Sequence, residues 1–107
     1  MSSFDAMFET IVSRNEYAEE GSYTAYLVNK GKEKILKKCG EECSEVLIAA
    51  MKNDKEETIN EINDLFYHIF VLMAEMDISM EDVTNEMDKR SAKTNNFKGE
   101  RKKVENY

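Results

Sequence analysis

Two pairs of acidic residues stand out because their spacing suits a metal site. Glu42 and Glu45 are three positions apart, and Glu61 and Asp64 repeat that spacing further along the chain. On an α-helix, residues three or four positions apart lie on the same face. Crowded, partly buried carboxylates relieve their repulsion by taking up a proton or a cation. All-oxygen ligands suit Mg²⁺ or Mn²⁺, and Mg²⁺ usually completes its shell with water and phosphate oxygens. The pattern therefore indicates phosphate chemistry.

The two acidic pairs must face each other to share an ion, and the residues between them predict that they do. Residues 52–55 are a polar break between two amphipathic segments, which predicts a helical hairpin that turns at Asn53. Counting outward from that turn, Glu45 falls level with Glu61, and the other two acids fall level with each other one turn further away. With a rise of about 1.5 Å per residue, the first pair lies roughly 12 Å from the turn.

Composition limits the fold and the partners. A chain of 107 residues with 41% apolar residues, no Pro and four Gly is one small domain with long helices. A net charge of −7 argues against nucleic-acid binding. The apolar runs are too short to cross a bilayer, and the first residues do not resemble a signal peptide, so we expect a soluble cytoplasmic protein. We expect Cys39 and Cys43 to be small buried thiols.

Apolar periodicity and capping residues predict an all-α fold, a bundle of four to five helices built on the hairpin. The predicted helical segments are Met1 to Glu20, one after Ser22 that ends near Gly31, Lys32 to Met51, Lys55 to Met76, and a last one capped by Ser79. From Leu65 onward the second arm of the hairpin is apolar on most of its circumference. Such a helix is buried on all sides, which predicts that a homodimer completes the bundle.

The last residues differ in composition from the rest. We expect residues 1–90 to form the domain and residues 91–107 to form a polar, basic C-terminal tail. This tail is interpreted as a flexible extension, with a phosphate-binding or dimer-embracing arm as the alternative.

An ordered series of motifs resembles a known family. The motifs are Gly31-x-x-Lys34-Ile35-x-x-Lys38-x-Gly40-Glu41-Glu42-x-x-Glu45-Val46, Glu61-x-x-Asp64-Leu65-x-Tyr67-His68 and Ser79-x-Glu81-Asp82-Val83. Together they resemble phosphoribosyl-ATP pyrophosphatases, the second activity of histidine biosynthesis. The wider superfamily of all-α nucleoside triphosphate pyrophosphohydrolases of the MazG type shares only the acidic pattern.

The resemblance implies a fold, a reaction and a set of ligands. It implies an all-α dimer that uses Mg²⁺ to convert phosphoribosyl-ATP to phosphoribosyl-AMP and pyrophosphate. By this resemblance Glu42, Glu45, Glu61 and Asp64 are metal ligands, and Glu41 is a ligand or the base that takes a proton from the attacking water. The residues alone do not separate ligand from base.

Four further residues adjoin the acids. Lys34 and Lys38 could neutralise charge on the departing pyrophosphate, although salt bridges such as Lys38 with Glu41 are the alternative. His68 falls level with Lys38, and we expect a structural or supporting role there before direct catalysis. The resemblance suggests a place near the substrate for Tyr23, which otherwise belongs to a helix cap.

Two other functions fit the acidic pattern. The same metal chemistry could act on noncanonical or deoxy-nucleoside triphosphates. Alternatively, the chain could be a non-catalytic helical dimerisation module whose acids form a solvated or metal-stabilised face.

Overall fold

A computed structural model of the chain describes residues 2–16 and 22–92. In that part of the chain all regular structure is helical, as five helices and no strand, so the all-α prediction is confirmed. The helices are α1 (Ser3–Glu16), α2 (Tyr23–Lys30), α3 (Lys32–Met51), α4 (Lys55–Glu75) and α5 (Met80–Ser91). Most of the predicted tail, residues 93–107, lies outside the described residues, as do residues 17–21 and therefore the predicted end of the first helix.

Side-chain caps explain where the helices begin. The Ser22 hydroxyl accepts a hydrogen bond from the Ala25 amide at the start of α2. The Asp54 carboxylate accepts one from the Glu57 amide at the start of α4. At α5, Ser79 and Asp82 bond each other's backbone amides reciprocally, at 3.0 and 2.9 Å. Each cap satisfies an amide that has no partner inside its helix, which stabilises the helix by about 1 kcal/mol.

The hairpin of α3 and α4 turns where the sequence predicts. The connection consists of residues 52–54, and Asn53 adopts a left-handed conformation with φ of 58°. Asn tolerates this region better than most residues because its short polar side chain bonds locally. The turn therefore sets the register of the two arms without a glycine.

The hydrophobic core lies at the open end of this hairpin. Ile11 of α1, Leu27 of α2, Ile35 of α3 and Val71 of α4 are almost completely buried against one another. Helices α1 and α2 thus cover the half of the hairpin that is remote from the turn. The acidic residues lie between this core and the turn.

Part of the apolar surface is not covered by the residues that the structure describes. Ile59 and Phe66 of α4 are exposed, as are Leu47 and Met51 of α3, and α5 contains no buried residue. Within residues 2–16 and 22–92, α4 is therefore not buried on all sides as predicted. Cys39 packs against the core but Cys43 is exposed, so the expectation of two buried thiols is wrong for Cys43. Among the described helices, none is long and apolar enough to cross a membrane.

Gly31 makes a testable contribution to this fold. It joins α2 to α3 at φ 92° and ψ 177°, a conformation that is essentially restricted to glycine. We expect Gly31→Ala to lower the free energy of unfolding by roughly 1–3 kcal/mol, measured by urea denaturation. The exposed neighbour Lys32→Ala should change it by less than about 0.5 kcal/mol. Equal stability of the two variants would contradict this account of the junction.

Candidate active site

Three carboxylates meet between the arms of the hairpin. Glu42 and Glu45 of α3 and Glu61 of α4 each place an oxygen atom within 4.8 Å of the other two. The arms carry these residues at matching heights because α3 and α4 turn back at Asn53. The register predicted for Glu45 and Glu61 is confirmed. Glu42, Glu45 and Glu61 are called the carboxylate cluster below.

The carboxylate cluster contains two buried oxygen atoms that have no hydrogen-bond partner among residues 2–16 and 22–92. The Glu42 side chain is 8% exposed, and its Oε2 atom has no partner. The Oε2 atom of Glu61 is buried and has none either. Buried polar atoms almost always find partners, and buried carboxylate oxygens bear the largest penalty when they do not. A divalent cation fits this donor set, because hard cations bind carboxylate oxygens and would satisfy both atoms.

The pKa values of the cluster record the same crowding. Burial is the largest cause that raises the pKa of Glu42, followed by a hydrogen bond with Glu45 and by neighbouring negative charge. Hydrogen bonds with Glu45 and Glu57 raise the pKa of Glu61 to about 8, with burial and nearby charge adding to them. Both shifts disfavour the ionised carboxylates, and a nearby cation would favour them.

Asp64, the fourth predicted ligand, lies beside the carboxylate cluster but is not part of it. It is exposed, and its negative charge contributes to the raised pKa values of Glu42 and Glu61. The structure therefore brings together three of the four predicted ligands and leaves the fourth at the margin.

Glu41, the predicted base, lies on the outer side of α3 together with Lys34 and Lys38. Lys38 Nζ is 3.1 Å from a Glu41 carboxylate oxygen and 3.9 Å from one of Glu42. The hydrogen bond from Lys38 is the largest cause that lowers the pKa of Glu41, and Lys34 lowers it further through its charge. Glu41 does not join the carboxylate cluster. Lys38 forms the salt bridges that its spacing allows and thereby connects Glu41 to Glu42.

His68 and Tyr23 form a hydrogen-bonded pair beside the acids. The Tyr23 hydroxyl is 2.9 Å from His68 Nε2, and His68 Nδ1 is 2.6 Å from the backbone carbonyl of Asp64. Because a carbonyl only accepts, Nδ1 carries the hydrogen, and in the neutral ring Nε2 accepts from the tyrosine hydroxyl. Burial raises the pKa of Tyr23, and the charges of Lys38 and Glu42 also act on it. The pair thus lies next to the carboxylates.

Sequence analysis missed two residues that line the space next to the carboxylate cluster. A cavity of about 360 Å³ opens there, lined by Glu45, Ile48, Ala49, Lys52, Asp54, Glu57 and Glu61. Glu57 lies one helical turn before Glu61, so the same spacing argument that selected the other acids could have found it. Lys52 follows the last residue of α3, and only the turn of the chain brings it to the cavity.

The raised pKa of Glu61 predicts a pH dependence of stability. Between about pH 4.5 and pH 8, Glu61 of the metal-free protein binds a proton in the folded state and loses it on unfolding. Because the folded state holds the extra proton, stability should fall as pH rises through this range. We expect the Tm, measured in the presence of a chelator, to decrease less steeply with rising pH in Glu61→Gln than in the wild type. Parallel pH profiles would contradict this prediction.

Comparison with known proteins agrees with the resemblance noted in the motifs. Residues 4–91 match the family model described as phosphoribosyl-ATP pyrophosphohydrolase. A phosphoribosyl-ATP pyrophosphatase from Clostridium botulinum (strain Hall) is 52% identical over 101 residues, which cover 94% of this chain and 92% of that protein. One from Bacillus cereus (strain B4264) is 48% identical over 103 residues, covering 96% and 95%. The chain therefore belongs to the phosphoribosyl-ATP pyrophosphohydrolase family.

Proposed function

We propose that this protein hydrolyses phosphoribosyl-ATP to phosphoribosyl-AMP and pyrophosphate in the cytoplasm, as the second step of histidine biosynthesis. The similarity to this family along nearly the whole chain carries the proposal. The carboxylate cluster supports it independently, because buried carboxylate oxygens without partners suit a reaction that uses a divalent cation. Water attacks the α-phosphorus, and the bridging oxygen between the α- and β-phosphates leaves with the pyrophosphate.

Glu42, Glu45, Glu61 and Asp64 would hold the cation, which is Mg²⁺ or Mn²⁺. The two orphaned oxygens of Glu42 and Glu61 are the strongest support for this assignment. Asp64, at the margin of the carboxylate cluster, would be the fourth ligand of the cation. When bound, such an ion supplies Lewis-acid activation of water and of phosphate oxygens. Four carboxylates are a typical oxygen-rich setting for it.

The residues on the outer side of α3 accept a proton and stabilise the negative charge of the phosphates. The hydrogen bond from Lys38 lowers the pKa of Glu41, so this carboxylate is ionised near neutral pH. It takes a proton from the attacking water or serves as a further ligand. Lys38, already within 3.1 Å of a carboxylate, and Lys34 stabilise negative charge on the departing pyrophosphate.

Tyr23 and His68 contribute to substrate binding. The carbonyl of Asp64 fixes the tautomer of His68, and His68 in turn fixes the Tyr23 hydroxyl. An exposed phenol ring held in this way offers an apolar face and a hydroxyl group to the nucleotide. His68 is buried, so it acts mainly by orienting Tyr23.

The active form is a homodimer that pairs through α3. An exposed stripe runs along this helix with alternating spacings of four and three residues, and its members are Leu36, Gly40, Cys43, Leu47 and Ala50. This is the spacing of a helix–helix seam. Apart from neighbouring parts of α3 itself, no atom of the described residues lies within 4 Å of the point where a Cβ would stand at Gly40. A glycine inside a helix is unfavourable by about 1 kcal/mol, and close approach of a second helix would account for it.

Pyrophosphate release from phosphoribosyl-ATP tests the proposed reaction. We expect Mg²⁺-dependent release by the wild type, and a loss of roughly 100-fold or more in kcat for Glu61→Gln because a buried ligand is removed. Circular dichroism should show that the variant remains folded. Faster release from a noncanonical or deoxy-nucleoside triphosphate would redirect the proposal to that substrate, and no release from any nucleotide would favour a non-catalytic module.

Sedimentation velocity tests the proposed dimer. We expect the wild type to sediment as a dimer and Leu47→Glu to shift it towards monomer, because the substitution buries a charge in the α3 seam. Thr10→Glu, at an exposed position of α1, introduces the same charge elsewhere and should leave the dimer intact. A monomeric wild type would exclude the dimer. Equal behaviour of the two variants would exclude this interface.

A further inference from the structure

Three tyrosine rings form a row that starts beside the carboxylates. Tyr23 stacks with Tyr67 of α4 and with Tyr26, one turn further along α2, and the ring centroids are 6.0 Å apart in both pairs. The ring planes are nearly parallel, at 26° for Tyr67 and 21° for Tyr26. Offset stacking at this distance is favourable for aromatic rings. Tyr23, Tyr26 and Tyr67 are called the tyrosine row below.

Buried partners hold the inner part of the tyrosine row in place. The Tyr67 hydroxyl is hydrogen-bonded to the hydroxyl of Thr24, which is completely buried. The Tyr23 hydroxyl is hydrogen-bonded to His68, whose ring meets Tyr23 and Tyr67 edge-on at centroid distances of 5.6 and 5.5 Å. These contacts fix two of the three rings before any ligand arrives. A surface that is already ordered binds a ligand with a smaller loss of entropy.

The tyrosine row leads from the carboxylate cluster towards the junction of α2 and α3. Its Tyr23 ring lies close enough to Lys38 and Glu42 that their charges act on the pKa of the phenol. Gly31 alone joins α2 to α3, so the end of α2 lies next to the start of α3, remote from Glu42. Tyr26 is one helical turn nearer to that junction than Tyr23 is. Because a ribose separates the base of a nucleotide from its phosphates, a nucleotide with its phosphates at the carboxylate cluster can place its base at Tyr26.

Tyr26 is the accessible end of the tyrosine row. Its side chain is 43% exposed, and the ammonium group of Lys30 lies 5.9 Å from the centre of its ring. Lys30 is itself exposed. A cation over an exposed ring is held weakly, whereas a nucleobase stacked on an aromatic ring is bound more strongly. A base can therefore take the place of Lys30 over the Tyr26 ring.

We propose that the purine base of the substrate stacks on Tyr26, at the exposed end of the tyrosine row. The inference rests on the proposed function for the identity of the nucleotide, and it adds a binding residue to that site. Tyr23 and Tyr67 support the Tyr26 ring from the side of the carboxylate cluster. Since Tyr26 contacts the base and not the reacting phosphate, it contributes to nucleotide affinity and not to the chemical step.

Calorimetric titration of the full chain with phosphoribosyl-AMP in the presence of Mg²⁺ tests this proposal. This nucleotide keeps the purine but has no pyrophosphate to lose, so binding is measured without turnover. We expect Tyr26→Leu to bind it roughly tenfold more weakly than the wild type, because the stacking surface is lost. Tyr26→Phe keeps the ring and should bind within about twofold of the wild type. Phe4→Leu is the matched control, because it removes a similarly exposed ring from α1, and it should bind as the wild type does.

Proton NMR of the bound nucleotide separates stacking on Tyr26 from an indirect effect on Tyr23. We expect the purine protons to shift upfield in the wild type and in Tyr26→Phe, and to lose most of that shift in Tyr26→Leu. An unchanged shift in Tyr26→Leu would overturn the proposal. So would a wild type that does not bind phosphoribosyl-AMP, or a Tyr26→Leu variant that binds it as tightly as Phe4→Leu does. Binding that depends on Tyr26, without pyrophosphate release from phosphoribosyl-ATP, would support this inference and contradict the proposed function alone.

Discussion

Repulsion among carboxylates in a partly buried space is the constraint on which the rest of this structure depends. Glu42, Glu45 and Glu61 place oxygen atoms within 4.8 Å of one another, and this crowding contributes to the raised pKa values of Glu42 and Glu61. Such an arrangement opposes folding unless another part of the molecule compensates for it. The compensation comes from the hydrophobic core, which α1, α2 and the open end of the hairpin form together.

The electrostatic environment differs sharply across a single turn of α3. Glu41 faces the lysines and has a lowered pKa, whereas the adjacent Glu42 is buried and has a raised one. The difference follows from the helix itself, since successive residues point about 100° apart. One turn of helix can therefore present an ionised carboxylate to solvent and a buried carboxylate with a raised pKa to the interior. Lys38 contacts both groups and connects the two environments.

The features that the sequence predicted are those that depend on neighbouring residues. The hairpin, its turn at Asn53, the caps at Ser22 and Ser79 and the facing of Glu45 and Glu61 all follow from spacing and local hydrogen bonding. The features that it did not predict depend on contacts between distant segments.

Glu57 illustrates this limit. Its spacing from Glu61 places it on the acidic face of α4, but only the approach of α3 shows that this face lines a cavity together with Glu45. Cys43 is a second example, because its exposure depends on which side of α3 the other helices cover. The hydrogen bond between Tyr23 and His68 is a third, since the two residues are 45 positions apart. Sequence periodicity describes one helix at a time and does not specify which neighbour covers each face.

The short connection between α3 and α4 has a consequence for how this protein can vary. Three residues, Lys52 to Asp54, fix the distance along the chain between the two acidic arms. Inserting or deleting one residue there would change the conformation of this short turn and shift Glu61 relative to Glu42 and Glu45. Loops elsewhere on a protein usually tolerate such changes in length. In this molecule the length of the loop fixes how α3 and α4 align. Natural variants should therefore differ in the residue types of this loop far more readily than in its length.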